Sequence, residues 1–225
     1  MIKFETIKVY VFDAYGTLFD VNAAVNANLF KLGKNAEQIS MVWRQKQLEY
    51  SWLRSLMGQY TDFWHITQEA LDFALDAYGI QNDSLKIQLL ESYRHLDCYP
   101  EVPSVLKTLK QKGLTTAVLS NGSPDMLNDA IKSSKLDALI DVVLSVDDIR
   151  VYKPDPKVYG LVTEKFSSAN KEILFHSANS WDIAGASSYG FQTAWINRFN
   201  KPKETLPFKP DIEVQSLMEV LKMIE

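Results

Sequence analysis

Asp13 closes the apolar run Val9-Tyr10-Val11-Phe12, and a Tyr15-Gly16-Thr17 turn follows it at once. A β-branched and aromatic run of this kind suits an inner strand of a parallel sheet, and such sheets bind ligands at the carboxyl ends of their strands. A carboxylate in that place is presented to whatever binds there, although aspartate before a glycine turn also serves simply to turn the chain. Three later segments bear on the choice. Ser120 and Asn121 close Thr115-Thr116-Ala117-Val118-Leu119-Ser120 just before Gly122; Lys153 precedes Pro154 shortly after Val142–Val146; and Ser177, Asn179 and Asp182 follow Glu172–Ser177. Each has a plainer use, as a turn former, a solvated lysine or the cap of a short helix near Trp181. Together they put a hydroxyl, an amide, an ammonium and two carboxylates on one rim, which polar loop residues placed by chance seldom produce.

The elements needed to hold such a rim are visible in the pattern. Residues 102–113, 123–136, 154–166 and 181–190 read as helices, separated by strands at 115–120, 141–146, 172–177 and 192–197, with residues 214–224 as a closing helix. Alternating strands and helices call for a doubly wound parallel sheet of α/β class, covered by helices on both faces. Between Val21 and His95 the pattern is helical only; Leu71, Ala74, Leu75 and Tyr78 keep helical spacing and Gly79 is placed to stop that helix. This block reads as an all-helical insert after the first strand, which gives a core domain of residues 1–20 and 96–225 and a cap domain of residues 21–95.

Bulk properties narrow the class of partner. The 225 residues are 46% hydrophobic and 23% charged with a net charge of −4, an ordinary globular balance. At roughly 150 residues per domain, this length allows one large domain or one with a smaller insertion. No clustered basic face points to nucleic acid. No apolar run approaches the roughly 20 residues of a membrane span, and the N-terminal segment lacks a signal-like apolar stretch, so a cytoplasmic protein is expected. The single cysteine, Cys98, excludes an intramolecular disulfide and suits a reducing compartment.

The segments VFDAYGTLFDV, LSNGSPDML, VYKPDPKVYGL and SANSWDIAGASSYGF resemble, in order and spacing, the four signature segments of the haloacid dehalogenase superfamily, and the match covers nearly the whole chain. The resemblance implies a Rossmann-like core with a helical cap, and Asp13 as nucleophile. More narrowly the chain resembles the L-2-haloacid dehalogenases, and Tyr15 carries that distinction. Phosphatases of the superfamily have Asp-x-Asp-Gly-Thr, whose second acid protonates an alkoxide leaving group; a departing halide needs no proton, so a tyrosine there fits dehalogenation. They also hold Mg²⁺ through a fourth segment that commonly begins Gly-Asp, where this chain has Ser177-Ala178, a depleted oxygen shell for a hard cation. No metal and no cofactor are therefore expected.

The resemblance further implies that Asp13 displaces halide from C2 of a short L-2-haloalkanoate. Water then hydrolyses the aspartyl ester, giving a D-2-hydroxy acid with inversion. Lys153 would keep Asp13 ionised and oriented. Asp182, with Ser177 and Asn179, would orient the water, while Thr17 and Tyr159 would support Asp13 and Lys153. Ser120 and the backbone amides of Ala14 and Tyr15 would hold the substrate carboxylate. Arg44, Asn121 and Trp181 would cradle the halide, with Leu48 as apolar wall. From its spacing alone Arg44, one turn before the stripe Leu48, Trp52, Leu56, could equally snorkel to water. The resemblance, with the apolar residues Trp52, Leu53 and Leu56, suggests a homodimer through the helical block, although that stripe also suits intramolecular core. His176 should point away from Ser177 as a packed histidine. A magnesium-dependent phosphatase, a fluoroacetate-type defluorinase and a non-catalytic binding module remain the alternatives.

Overall fold

The structure, a computed structural model, describes residues 2–26 and 28–224; Met1, Ala27 and Glu225, which fall within the expected domain ranges, lie outside the described residues. Strand β1 (Val9–Phe12) is buried along its whole length. It is followed by five helices: α1 (Ala23–Asn26), α2 (Leu29–Leu32), α3 (Ala36–Met57), α4 (Phe63–Ala77) and α5 (Asp83–Arg94). The alternating part follows as α6 (Val102–Gln111), β2 (Thr115–Ser120), α7 (Pro124–Ser133), β3 (Val142–Ser145), α8 (Pro156–Phe166), β4 (Ile173–Ser177), α9 (Ser180–Tyr189), β5 (Gln192–Ile196), β6 (Ile212–Val214) and α10 (Leu217–Lys222).

The six strands form one sheet in the order β3-β2-β1-β4-β5-β6, every pairing parallel. Strand order reverses between β1 and β4, and the crevice outside the strand ends at such a switch point is where doubly wound folds bind ligands. Register fixes what meets there. Phe12 pairs with Val118 on one side and His176 on the other, so Asp13 emerges between the ends of β2 and β4, with its N–H on His176 O at 2.9 Å.

Two expectations need correcting. Residues 214–224 do not form one helix: Val214 belongs to β6, a short edge strand that the pattern did not reveal, and Ser216 caps α10 by accepting the Met218 N–H. The stripe Leu48, Trp52, Leu56 is not core either. The face of α3 buried against α4 carries Ile39, Trp43, Gln47 and Ser51, two of them polar and each hydrogen-bonded: Gln47 Nε2 donates to Thr67 Oγ1 at 3.0 Å and Ser51 to Leu48 O at 2.7 Å. Leu56 is 84% exposed. Helix α4, by contrast, ends at Ala77, just ahead of Gly79, as its spacing requires.

His176 is the packed histidine that strand alternation implied. Its ring stacks on Phe12 with centroids 4.5 Å apart and on Tyr10 at 5.9 Å, and Nδ1 donates to Val11 O at 3.0 Å. Burial pushes its pKa down to about 4. Native protein therefore holds neutral imidazole while the unfolded chain protonates near 6.5, so the contribution to stability is present above about 6.5 and is lost as pH falls toward 4. In urea titrations at pH 7 and pH 4.5 the parent protein should lose about 2 kcal/mol more stability than a His176→Asn variant. Equal losses in the two proteins would refute the assignment.

Candidate active site

Asp13 sits at the end of β1 because the chain turns there: the Ala14 carbonyl accepts N–H groups from Thr17, Leu18 and Phe19, and Gly16 takes φ +93°, a conformation that L side chains rarely adopt. The turn brings Thr17 Oγ1 to 3.1 Å from Asp13 Oδ2. The same oxygen accepts from Asn179 Nδ2 at 2.9 Å and Ser177 Oγ at 3.3 Å, whereas among the described residues Oδ1 accepts only from Lys153 Nζ, at 3.1 Å. The carboxylate is thus unsymmetrical: one oxygen is saturated with donors and the other keeps lone-pair capacity.

Lys153, 1% exposed, lies between two carboxylates, Asp13 and Asp182, with Nζ 2.8 Å from Asp182 Oδ2. Phe175 presents its ring face to the same ammonium, 5.0 Å away. Burial works against the charge, but Asp13 and Asp182 together raise the lysine pKa above its ordinary value. With one cation for two acids the cluster carries an excess negative charge. Burial pushes Asp182 up to about 6, opposed by Lys153 and reinforced by Asp13. The second oxygen of Asp182 accepts from Tyr159 OH at 2.8 Å.

That last contact requires a glycine. Tyr159 on α8 reaches Asp182 across Gly185 of α9, where an added Cβ would stand 2.7 Å from Pro154 Cβ and overlap the Tyr159 hydroxyl.

A cleft of about 1080 Å³ opens beside this cluster, walled by Tyr15, Arg44, Leu48, Asn179 and Trp181 among others. Arg44 faces it rather than water. Among the described residues Arg44 has no carboxylate partner; Nη1 donates to Gln47 Oε1 at 3.4 Å, an oxygen that also accepts from Tyr93 OH. A guanidinium so placed retains donors for an anion. Tyr15 stacks on Tyr93 with centroids 5.7 Å apart, and its buried hydroxyl has no partner among the described residues. Burial above all raises its pKa well above the usual value, so it is a neutral phenol.

Most of the residues expected from the sequence therefore converge, with four adjustments. Ser177 and Asn179, expected to orient the water, donate to Asp13 itself, and Asn179, although it holds the N-cap position of α9, makes no side-chain cap. Tyr159 supports Asp182 rather than touching Asp13 or Lys153. Ser120 is buried and accepts the Gly122 N–H at 3.0 Å, which is its turn-forming use. Asn121 accepts the Lys153 N–H at 3.0 Å through Oδ1, so it positions the lysine peptide in addition to any contact of its amide nitrogen. The backbone amides of Ala14 and Tyr15 donate to no other described residue.

Several participants were not recognised in the sequence. Gln47, polar on a buried helix face, holds Arg44. Arg198 follows β5, pairs with Glu101, stacks over Tyr99 at 4.0 Å and donates to Thr17 O at 2.9 Å. Its place two residues beyond the end of β5 was the available signal.

The fold and this cluster define a hydrolase with a carboxylate at the end of its first strand, and the chain belongs to the haloacid dehalogenase-like hydrolase family, whose model matches residues 7–190. It is similar to (S)-2-haloacid dehalogenase 1 of Pseudomonas sp. (strain CBS-3), 46% identical over 98% of this chain and 97% of that one. It is also similar to (S)-2-haloacid dehalogenase 4A of Burkholderia cepacia, 45% identical over 98% and 96%. Among solved structures, the L-2-haloacid dehalogenase of Xanthobacter autotrophicus with chloropropionic acid covalently bound superposes with a TM-score of 0.90 at 38% identity, covering 97% of this chain and 98% of that one.

Two expected outcomes follow from the geometry. Gly185→Ala should displace Tyr159 from Asp182, lowering stability by about 1–3 kcal/mol in chemical denaturation and turnover with it; a variant with parental stability and rate would disprove the close approach. The carboxylate form of Asp182, present above about 6, should be needed for turnover. kcat/KM should then decline as pH falls through about 6, and a flat profile down to pH 5 would contradict this.

Proposed function

We propose that this chain is an (S)-2-haloacid dehalogenase that hydrolyses short-chain L-2-haloalkanoates to D-2-hydroxyalkanoates. The observation that carries the reading is the unsymmetrical Asp13 carboxylate together with a cleft-lining cation, Arg44, that has no carboxylate partner among the described residues. The (S)-2-haloacid relatives and the covalently bound chloropropionic acid in the Xanthobacter enzyme support the same chemistry. Residues 21–95 act as a cap over a core of residues 1–20 and 96–225, and substrate binds between them.

In the first step Asp13 Oδ1, the oxygen with spare lone pairs, attacks C2 from the side opposite the halogen. A C–O bond forms as the carbon–halogen bond breaks, and the halide leaves with the bonding pair. Arg44, with the Asn121 amide and Trp181, receives it, and Leu48 provides apolar wall. The substrate carboxylate takes the Ala14 and Tyr15 amides and the Ser120 hydroxyl.

In the second step water, oriented by Asp182, attacks the aspartyl ester carbonyl carbon and gives a proton to the Asp182 carboxylate, which passes it to the hydroxy acid oxygen as that group leaves. Oδ2, already held by Thr17, Ser177 and Asn179, becomes the oxyanion, so the donors that orient the nucleophile also stabilise the charge that develops later. Collapse expels the hydroxy acid with its C2–O bond intact, and the configuration at C2 is inverted once. Asp182 and Lys153 border this oxygen pair and govern its protonation.

The exposed apolar residues on the outer side of α3, Leu53, Leu56 and Met57, support a homodimer through the cap. No helix among the described residues is long and apolar enough to cross a membrane, and the single cysteine suits a cytoplasmic location.

A single turnover with excess enzyme and (S)-2-chloropropionate in ¹⁸O-water tests the mechanism. The label should appear first in the Asp13 carboxylate and be absent from the lactate formed. Label directly in lactate, with none in protein, would indicate attack by water on C2 and remove the nucleophilic role.

A further inference from the structure

The loop that carries Lys153 is gripped from the cap as well as from the core. On the core side Asn121 Oδ1 accepts the Lys153 N–H at 3.0 Å. On the cap side Trp52 of α3 donates its indole N–H to the Lys153 carbonyl at 3.2 Å, and Ser55, one turn further along the same face, accepts the Tyr152 N–H at 3.0 Å. The turn between α3 and α4 adds two ties: Tyr152 OH donates to Thr61 O at 2.5 Å, and Tyr60 OH donates to Asp147. The rings of Tyr60 and Tyr152 also stack, with centroids 5.1 Å apart.

Trp52 is the tie nearest the chemistry. Its ring meets Trp181 edge-on, with centroids 5.4 Å apart, and both line the cleft. Arg44 lies eight residues earlier on α3, about 12 Å along a rigid helix. One helix thus presents a guanidinium to the cleft and, two turns later, fastens the peptide from which the Lys153 side chain extends.

We propose that Trp52 is a positioning residue: among the ties between the cap and the lysine loop, its indole N–H registers α3 against the Lys153 peptide itself, so that this contact couples the setting of Lys153 against Asp13 to that of Arg44 over the cleft. The inference rests on the roles proposed above for Lys153 and Arg44. An ammonium serving two carboxylates at 3.1 and 2.8 Å tolerates little backbone drift, because a displacement that shortens one ion pair lengthens the other. Asn121 alone holds only the N–H side of that peptide; Trp52 holds the carbonyl side and ties it to the opposite wall of the cleft.

Trp52→Phe keeps the aromatic edge and removes the donor. With (S)-2-chloropropionate the variant should show kcat reduced about fivefold, the worth of one hydrogen bond, with KM within about twofold of the parent. Its acid limb should move to higher pH, because a loosened Lys153 stabilises the Asp182 carboxylate less. Ser55→Ala should shift both quantities in the same direction by less, and it carries the test should the tryptophan variant fail to fold. Hydrogen exchange across residues 146–153 should accelerate in both variants. Unchanged kcat and acid limb would overturn the proposal, and so would a raised KM with kcat intact, which would make Trp52 a substrate-contacting wall. Absence of halide release by the parent protein would instead defeat the dehalogenase reading, and unaltered exchange across residues 146–153 would then overturn the positioning role by itself.

Discussion

One ammonium shared between two buried carboxylates governs the arrangement of this molecule. A charged group withdrawn from water is tolerated only when paired and hydrogen-bonded, and Lys153 meets that condition only if Asp13 and Asp182 are both within reach. The three groups come from the end of β1, the loop after β3 and the start of α9. Their meeting therefore fixes how the central strand, the lysine loop and the helix after β4 sit together. The leftover negative charge is what makes the site reactive: the acids share a single counterion, and Oδ1 of Asp13, which among the described residues accepts from Lys153 alone, keeps lone-pair capacity.

The surrounding structure serves that triad in two ways. The parallel sheet aligns every strand's carboxyl end on one side, and the reversal of strand order beside β1 leaves a crevice there instead of a covering crossover. The helical insert supplies what the sheet cannot, an arginine without a carboxylate partner among the described residues, held by a glutamine buried in the α3–α4 contact. Positive charge thus approaches Asp13 from two directions with different tasks. Lys153 is enclosed and permanently paired, whereas Arg44 opens onto the cleft and is available to an incoming anion.

The sheet and nearly all of the reactive residues were legible in the sequence because they obey local rules. Apolar strands ended on Asp13, Ser120 and Ser177, helices announced themselves by Pro and Gly punctuation, and the site residues stood just past strand ends. What escaped depended on three-dimensional encounters. β6 has three residues and lies at the sheet edge, too short to show a pattern of its own. The stripe through Leu48, Trp52 and Leu56 had helical spacing but its members have three different fates: cleft wall, tie to the lysine loop and exposed surface. Gly185 looked like one small residue among several in Ala184-Gly185-Ala186; only the approach of Tyr159 gives it meaning. Ser177 and Asn179 were found, yet that both donate to Asp13 could not be read from spacing.

The central placement of β1 has a consequence for how the molecule comes into being. Val9 pairs with Thr115 on one edge and with Ile173 on the other, so this strand, synthesised before both neighbours, completes its pairing only after the segment carrying Ile173 has followed. Pairings so distant in sequence are slow to form, because long loops must close before any contact rewards them. Until then Asp13 has neither its lysine nor its amide donors, since these arrive with later strands. The working arrangement of the carboxylate consequently depends on Lys153, Ser177, Asn179 and Asp182, all of which follow it by 140 residues or more.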